Sequence, residues 1–128
     1  MNKKIGLFWL REDFRFDKNF GLIEATINHD QVVVFYLYKA DTYKDQEAQK
    51  WWLSKSLLNF QKQLNDLNVT LEIVETNSFK IFFDKLVKKK DFAIYWNKVY
   101  EPDYLKFDEH LINSLKNNNI FHQRFKGN

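Results

Sequence analysis

The sequence predicts an α/β fold, a five-stranded parallel Rossmann-like sheet in the order 3-2-1-4-5 with helices on both faces. The first observation is a series of apolar, strand-like runs. These are Ile5 to Leu10, Val32 to Tyr38, Val69 to Val74, Phe92 to Trp96 and Ile120 to Phe125. The second observation is that helical stretches of roughly 10 to 20 residues separate the runs, which is the spacing of βαβ units.

The third observation concerns burial, and it predicts the strand order. The first, second and fourth runs are almost continuously apolar, as expected for strands buried on both faces of a parallel sheet. The third run alternates and the fifth is interrupted by His122, Gln123 and Arg124, so both are predicted to be edge strands. Right-handed crossovers then favour the order 3-2-1-4-5.

The helical stretches carry amphipathic stripes with recognisable ends. One stripe is Phe79, Phe82, Phe83, Leu86 and Val87, and another is Leu53, Leu57, Phe60, Leu64 and Leu67. Asn77 and Ser78 are both suited to cap the first of these helices, and Pro102 suits the first turn of the last long helix. Trp51 and Trp52 are adjacent on a helix and cannot both face the core, so we expect one indole to be exposed.

Length and composition limit the function. The 128 residues fit one domain, the net charge of +3 is mild for an autonomous DNA binder, and cysteine is absent. No apolar stretch approaches the ~18 residues of a membrane span, and we expect a cytoplasmic protein without membrane contact. The three histidines are scattered, which predicts no metal site, and no arrangement of residues predicts a catalytic group. With three glycines in the chain, no G-x-G-x-x-G or Walker loop is present, so a classical dinucleotide or triphosphate site is not expected.

The strand order also predicts where a ligand binds. Connections reverse direction between the first and fourth strands, and ligands of open α/β sheets bind at the carboxyl ends of the strands beside such a reversal. The first strand ends in Trp9-Leu10-Arg11, and residues 95–102 follow from the fourth, so two polar and aromatic stretches converge there. Arg11, Arg15 and Arg124 are the only arginines among 20 basic residues, which favours a role for a forked guanidinium near the end of the first strand. The alternative is that either arginine pairs with Asp13 or Glu12 and stiffens a surface turn.

Three motifs resemble those of the DNA photolyase and cryptochrome family. Residues 9–15, Trp-Leu-Arg-Glu-Asp-Phe-Arg, are similar to the family's W-F-R-x-D-L-R, and Asn19 and Leu22 match the residues that follow it. Residues 52–57 resemble its aromatic-Leu-x-x-Ser-Leu helix, and residues 95–102 resemble its N-x-x-Y-E-P element. The three motifs occur in order, and the resemblance covers essentially all 128 residues.

The resemblance implies that residues 1–128 are the N-terminal α/β domain of such a protein. In the family, the FAD pocket and the DNA-binding groove belong to a following helical domain, and we expect residues 1–128 not to include that domain. The chain would then be the light-harvesting domain of a DNA-repair flavoprotein, a deoxyribodipyrimidine photolyase (a carbon–carbon lyase), passing excitation to FAD. Its partner would be the FAD-binding domain, in the same or a separate chain, and damaged DNA would be reached only through that domain.

Two further interpretations remain open, a cryptochrome-type photoreceptor fragment and a stand-alone α/β module that binds a nucleotide or a protein partner. An antenna chromophore would be a reduced folate, a deazaflavin or a flavin. Gln49 and the Asp103-Tyr104 pair depart from the deazaflavin and folate signatures of the family, respectively, so the chromophore stays undetermined.

Excitation transfer requires a rigid, dry slot with ring faces and a few orienting groups. The predicted cofactor-binding residues are Trp9, Arg11, Tyr36, Tyr38, Asn97 and Glu101. The tryptophan and tyrosines would supply ring faces, Arg11 and Asn97 would fix a carbonyl or carboxylate edge, and Glu101 would accept from ring nitrogens. The alternative is that Arg11 and Glu101 support loop structure or the contact with the helical domain. On the first interpretation, Arg11→Ala weakens chromophore binding more than it lowers stability.

Overall fold

The computed structural model describes residues 4–12, 14, 16–39, 46–65 and 67–126. Strands and helices alternate along the chain: β1 (Ile5–Leu10), α1 (Phe20–Asn28), β2 (Val32–Tyr38), α2 (Glu47–Leu64), β3 (Val69–Glu75), α3 (Phe79–Leu86), β4 (Phe92–Asn97), α4 (Pro102–Asn117) and β5 (His122–Phe125). The strands form one parallel sheet in the order β3-β2-β1-β4-β5. The predicted fold class and strand order are confirmed.

The pleat of the sheet divides the core into two clusters, because successive side chains of a strand point to opposite faces. Phe8 and Tyr95, which are paired in register, lie on the face covered by α1 and α2. Trp9 and Trp96, the next pair, lie on the face covered by α3 and α4. We call these the α1/α2 face and the α3/α4 face.

The helix ends follow from local sequence. Asn19 caps α1 by accepting a hydrogen bond from the Leu22 N–H at 3.2 Å, and Ser78 caps α3 by accepting from the Ile81 N–H at 3.3 Å. Of the two cap residues predicted for α3, Ser78 is therefore the one used. Pro102 is the first residue of α4, as predicted, since its missing N–H would have no partner inside the helix.

β5 begins two residues later than the apolar pattern predicts. The Ile120 N–H donates to the Leu115 carbonyl at 3.0 Å, so Ile120 still closes the end of α4. Asn119 makes this turn with a left-handed φ of 57°, a conformation that asparagine tolerates better than most residues. The side chain of Ile120 is buried, which accounts for its apolar character without a strand.

The first half of α2 packs against the core through Leu53 alone, and that side chain is only partly buried. The buried residues of α2, Leu57, Phe60 and Leu64, all lie in the second half of the helix. Trp51 and Trp52 are both 61% exposed, whereas the sequence predicts one exposed indole. The core-facing stripe of α2 consists of Leu53, Leu57, Phe60 and Leu64, and both indoles lie off this stripe.

Candidate functional site

A cleft of about 700 Å³ opens at the carboxyl ends of β1 and β4. Its walls come from the loop after β1, the exposed flank of α2, the loop after β4 and the residue after β5. The lining residues are Glu12, Phe14, Lys18, Asn19, Phe20, Trp52, Ser56, Asn59, Asn97, Lys98, Val99, Tyr100, Glu101 and Lys126. The cleft lies at the reversal between the first and fourth strands, which is where the strand order places a ligand.

The polar residues at the bottom of the cleft are held by α1. The Asn97 side chain donates from Nδ2 to Asn19 Oδ1 at 2.7 Å and accepts at Oδ1 from the Gly21 N–H at 3.0 Å. The Asn19 Oδ1 also accepts from the Leu22 N–H. Two N–H groups of the first turn of α1, which have no partner within the helix, are thereby satisfied by asparagine side chains. We call Asn19, Gly21 and Asn97 the cleft floor.

A buried ion pair lies beneath this floor on the α3/α4 face. Arg11 Nη1 donates to Asp108 Oδ1 at 2.8 Å and Nη2 donates to Oδ2 at 3.2 Å, while Nη2 also donates to the backbone carbonyl of Asn97. Asp108 is fully buried and Arg11 is 5% exposed. Asp108 Oδ2 further accepts from Trp96 Nε1 at 3.2 Å and lies 3.5 Å from Arg124 Nη1. We call Arg11, Asp108 and Arg124 the buried ion cluster.

Aromatic rings surround the Arg11 guanidinium. Its central carbon lies 4.6 Å from the ring centroid of Trp9 and 4.8 Å from that of Tyr104, distances at which cation–π attraction contributes. Trp9 is itself 1% exposed and packs edge-on against Phe83, with the ring centroids 4.8 Å apart. Arg11 Nε is buried without a hydrogen-bond partner among the described residues. In this structure Trp9 and Arg11 therefore belong to the core of the α3/α4 face and not to the lining of the cleft.

Tyr36 and Tyr38 lie in a second depression. A groove of about 320 Å³ runs between α2 and the β2–β3 edge of the sheet, and both tyrosines line it together with Leu53, Leu57 and Ile73. The flanks of α2 thus border two cavities, with Trp52 and Ser56 on the cleft side. Tyr36 also contacts Phe14, a cleft residue, at a centroid distance of 5.8 Å.

The rim of the cleft carries charges of both signs. Lys18, Lys98 and Lys126 line it together with Glu12 and Glu101. None of the three lysines forms an ion pair with another described residue, although the Lys98 ammonium lies 5.1 Å from the Tyr100 ring centroid. Basic groups without ion-pair partners leave the rim able to accept the anionic edge of a ligand.

Tyr95 is a core residue whose ionisation is altered by its surroundings. Burial raises the pKa of its phenol, the hydrogen bond from Asn28 lowers it, and the charge of Glu24 raises it further. Its hydroxyl forms a hydrogen bond of 2.9 Å with Nε2 of the buried His29, and His29 Nδ1 donates to the Lys4 carbonyl. Neither residue lines the cleft, so this network supports the fold and not the candidate site.

The six predicted site residues are therefore distributed over three places. Asn97 and Glu101 line the cleft, Tyr36 and Tyr38 line the groove, and Trp9 and Arg11 are buried in the core. The sequence interpretation missed Trp52 as a cleft wall. The available signal was the apolar stripe of Leu53, Leu57 and Phe60, which leaves Trp52 off the core-facing side of α2. Arg15 and Asp13 lie outside the described residues.

Among the described residues, no group of three or more histidine, aspartate or glutamate side chains is arranged to hold a metal ion. Within the same residues, no helix is both long and apolar enough to cross a membrane.

Comparison with known proteins relates the whole arrangement to one family. The family model described as DNA photolyase matches residues 6–128. A deoxyribodipyrimidine photo-lyase from Agrobacterium fabrum is 24% identical over 121 residues, which are 94% of this chain and 25% of that protein. The chain thus spans about a quarter of the length of this relative.

Solved structures share the fold. A bacterial class III photolyase from Agrobacterium tumefaciens superimposes with a TM-score of 0.81 at 23% identity, covering 99% of this chain and 26% of that one. An archaeal photolyase from Sulfolobus tokodaii, described with two FAD molecules and an implied novel light-harvesting cofactor, gives 0.78 at 22% identity, covering 95% and 29%. A Synechocystis cryptochrome gives 0.77 at 16% identity, covering 99% and 28%. Since the family model matches residues 6–128, nearly the full chain, this chain belongs to the DNA photolyase family.

Proposed function

We propose that this chain is a light-harvesting domain that binds an antenna chromophore in the cleft and passes excitation to FAD in a helical domain. The observation that carries the proposal is the cleft itself, a cavity of about 700 Å³ with the exposed Trp52 indole on its wall and the Asn97 floor beneath it. This volume lies within the range of about 300–1,000 Å³ usual for small-molecule sites.

The lining suits a flat conjugated ligand. Trp52, Phe14, Phe20 and Tyr100 offer ring faces or edges, and the first of these is 61% exposed in the absence of a ligand. Burying such a surface against a planar ring is favourable, because stacked aromatic pairs contribute beyond the area they remove from water. Glu101 and the three rim lysines are placed to orient polar edges of the ligand.

Of the residues predicted from sequence, Asn97 and Glu101 remain our proposed chromophore contacts. Tyr36 and Tyr38 would reach a chromophore only from the groove side of α2. Trp9 and Arg11 would act indirectly, because both are buried on the α3/α4 face. A reduced folate, a deazaflavin and a flavin all remain candidates, and the FAD pair described for the Sulfolobus tokodaii relative supports a flavin.

The structure disfavours the alternative of a phosphate-binding nucleotide module. In such modules the phosphate accepts hydrogen bonds from free N–H groups at a helix N-terminus. The Gly21 and Leu22 N–H groups at the start of α1 already donate to Asn97 and Asn19. A phosphate at this position would have to displace both side chains.

DNA repair and lyase activity are proposed only for a longer assembly. The relatives are roughly four times the length of this chain, so most of each relative has no counterpart here. We propose that the FAD-binding partner domain, in the same or a separate chain, supplies the photochemistry and the contact with damaged DNA.

The test is a binding titration with a matched pair of variants. FMN, 5,10-methenyltetrahydrofolate and 8-hydroxy-5-deazaflavin are each titrated into the 128-residue chain while the absorption band and fluorescence of the chromophore are followed. We expect saturable binding of at least one with a shifted band, and Trp52→Ala should weaken it about tenfold, or ~1.4 kcal/mol.

Trp51→Ala is the control, since Trp51 is equally exposed but does not line the cleft. Equal losses in both variants, or no saturable binding of any of the three compounds, would overturn the proposed function.

A further inference from the structure

We propose that Arg11 and Asp108 are positioning residues that shape the cleft from below. They hold the backbone of Asn97, and through its side chain they fix the first turn of α1. The proposal rests on the proposed function for the use of the cleft, but the mechanical link that it describes exists without a ligand.

The first link is the buried ion pair. Asp108 is fully buried on α4 and receives both terminal nitrogens of Arg11, at 2.8 and 3.2 Å. A two-point contact between a planar guanidinium and a carboxylate fixes orientation as well as distance. Trp96 Nε1 and the Arg124 guanidinium hold the same carboxylate from β4 and β5, so Asp108 has little freedom to move.

The second link passes from the guanidinium to the cleft floor. Arg11 Nη2 donates to the backbone carbonyl of Asn97 at the same time as it donates to Asp108. A single lysine ammonium lacks the fork that spans a carboxylate and a carbonyl in this geometry. Arginine at position 11 therefore joins the end of β1 to the end of β4 at the level where the cleft begins.

The third link crosses the sheet. Asn97 is the last residue of β4, and its side chain turns to the α1/α2 face, where it binds Asn19 and the Gly21 N–H. The packing at this contact is close, since a Cβ atom at Gly21 would come within 2.7 Å of Asn97 Oδ1 and 2.9 Å of Phe8 Cε1. A displacement of the Asn97 carbonyl would therefore be felt at the start of α1.

The experiment measures amide hydrogen exchange, by NMR and without ligand, in the wild-type chain and in Arg11→Lys. Lysine keeps the positive charge, but we expect its single ammonium to contact either Asp108 or the Asn97 carbonyl and not both at once. We expect the Gly21 and Leu22 amides to exchange about tenfold faster, while the Val87 amide, bonded to Phe83 in α3, keeps its rate. Asp108→Glu is the second variant if Arg11→Lys does not fold, with the same expectation.

Two further variants separate positioning from general loosening. Arg124→Lys alters the other arginine beside Asp108. Since Arg124 makes no side-chain hydrogen bond to Asn97 among the described residues, the Gly21 rate should stay unchanged. Asn97→Ala should accelerate Gly21 exchange by itself, and adding Arg11→Lys to it should bring no further increase, because both changes cut one chain of contacts.

Three results overturn the proposal: an unchanged Gly21 rate in Arg11→Lys, an equal acceleration at Val87, or additive effects with Asn97→Ala. FMN titration then addresses the function separately. Arg11→Lys should weaken FMN binding severalfold at a temperature where it is fully folded. If FMN, the folate and the deazaflavin all fail to bind the wild-type chain, the proposed function fails while the exchange data still decide the positioning role.

Discussion

Asp108→Asn removes the centre of the buried ion cluster with the smallest possible change of shape. The carboxylate accepts from both terminal nitrogens of Arg11 and from Trp96 Nε1, and Arg124 lies 3.5 Å away. An asparagine amide retains one acceptor oxygen and presents an NH₂ group to donors. Arg11, which is 5% exposed, would keep its positive charge without a carboxylate beside it. Of its described hydrogen-bond acceptors, the Asn97 carbonyl would be unchanged.

The cost follows from that burial. Removing one partner of a buried ion pair destabilises a protein by about 3–5 kcal/mol, because the other charge is left uncompensated. We expect a loss of about 4 kcal/mol in the free energy of unfolding. For 128 residues, an unfolding entropy of ~2.1 cal/mol/K per residue converts this to a fall of roughly 15 °C in Tm.

Thermal and urea unfolding followed by far-ultraviolet circular dichroism measure the effect. Glu109→Gln is the matched control, since Glu109 is the next residue on α4 and is exposed, and its Tm should stay within about 2 °C of wild type. A loss below about 1 kcal/mol in Asp108→Asn would refute the reasoning. It would mean that water or a rearranged Arg124 compensates Arg11.

Three further expectations can be checked with the same preparations. Trp9→Leu should lower the free energy of unfolding by about 2–4 kcal/mol, because it leaves a cavity beside Phe83. Chromophore affinity should change by less than twofold. A loss of affinity without a loss of stability would show that Trp9 contacts the chromophore. Tyr95→Phe should flatten the stability profile at alkaline pH. Since burial raises the pKa of Tyr95 above its ordinary value, its contribution is fully present below pH ~10 and is lost as the pH rises through the folded-state pKa; identical slopes for wild type and variant in urea unfolding between pH 9 and 11 would contradict this. Gly21→Ala should disturb the cleft floor, since the new methyl group meets Asn97 Oδ1 at 2.7 Å. Chromophore affinity should fall at least as much as in Asn97→Ala. Unchanged affinity in a titration would show that the Asn97 side chain moves aside without affecting binding.

The fold could be predicted almost completely from the sequence because burial on both faces leaves a direct trace. The runs that become β1, β2 and β4 are continuously apolar, and those strands occupy the centre of the sheet. Where the prediction was wrong, at the start of β5, Ile120 is apolar because it closes the end of α4. Hydrophobicity reports burial and does not distinguish a strand from a buried turn.

Four of the six predicted binding residues do not line the cleft, and for Trp9 and Arg11 the reason is the pleat. The sequence brings Arg11 and Asn97 to the same edge of the sheet, and both lie there. Their side chains point to opposite faces, because Trp9 pairs with Trp96 in register, which places Arg11 on the α3/α4 face and Asn97 on the other. Because side chains alternate between the two faces along β1 and β4, counting residues from the Trp9–Trp96 pair would have assigned Arg11 and Asn97 to opposite faces.

Other features required coordinates. The role of Asp108 is one of these, since nothing in its local sequence shows that Arg11, 97 residues earlier, points at it. The sequence predicted that Arg11→Ala weakens chromophore binding more than it lowers stability, and the buried contact with Asp108 reverses that expectation. With Asp108 fully buried, we expect the loss of stability to be the larger effect.

The measurement that tests the central claim most directly is an amide chemical-shift map of the chain with the best-binding chromophore. If the cleft is the antenna site, the largest shifts should occur at Lys18, Phe20 and the loop of residues 98–101, with small shifts at Leu58 and Ile73 beside the groove. Shifts concentrated at the groove, or spread without saturation over both cavities, would contradict the account.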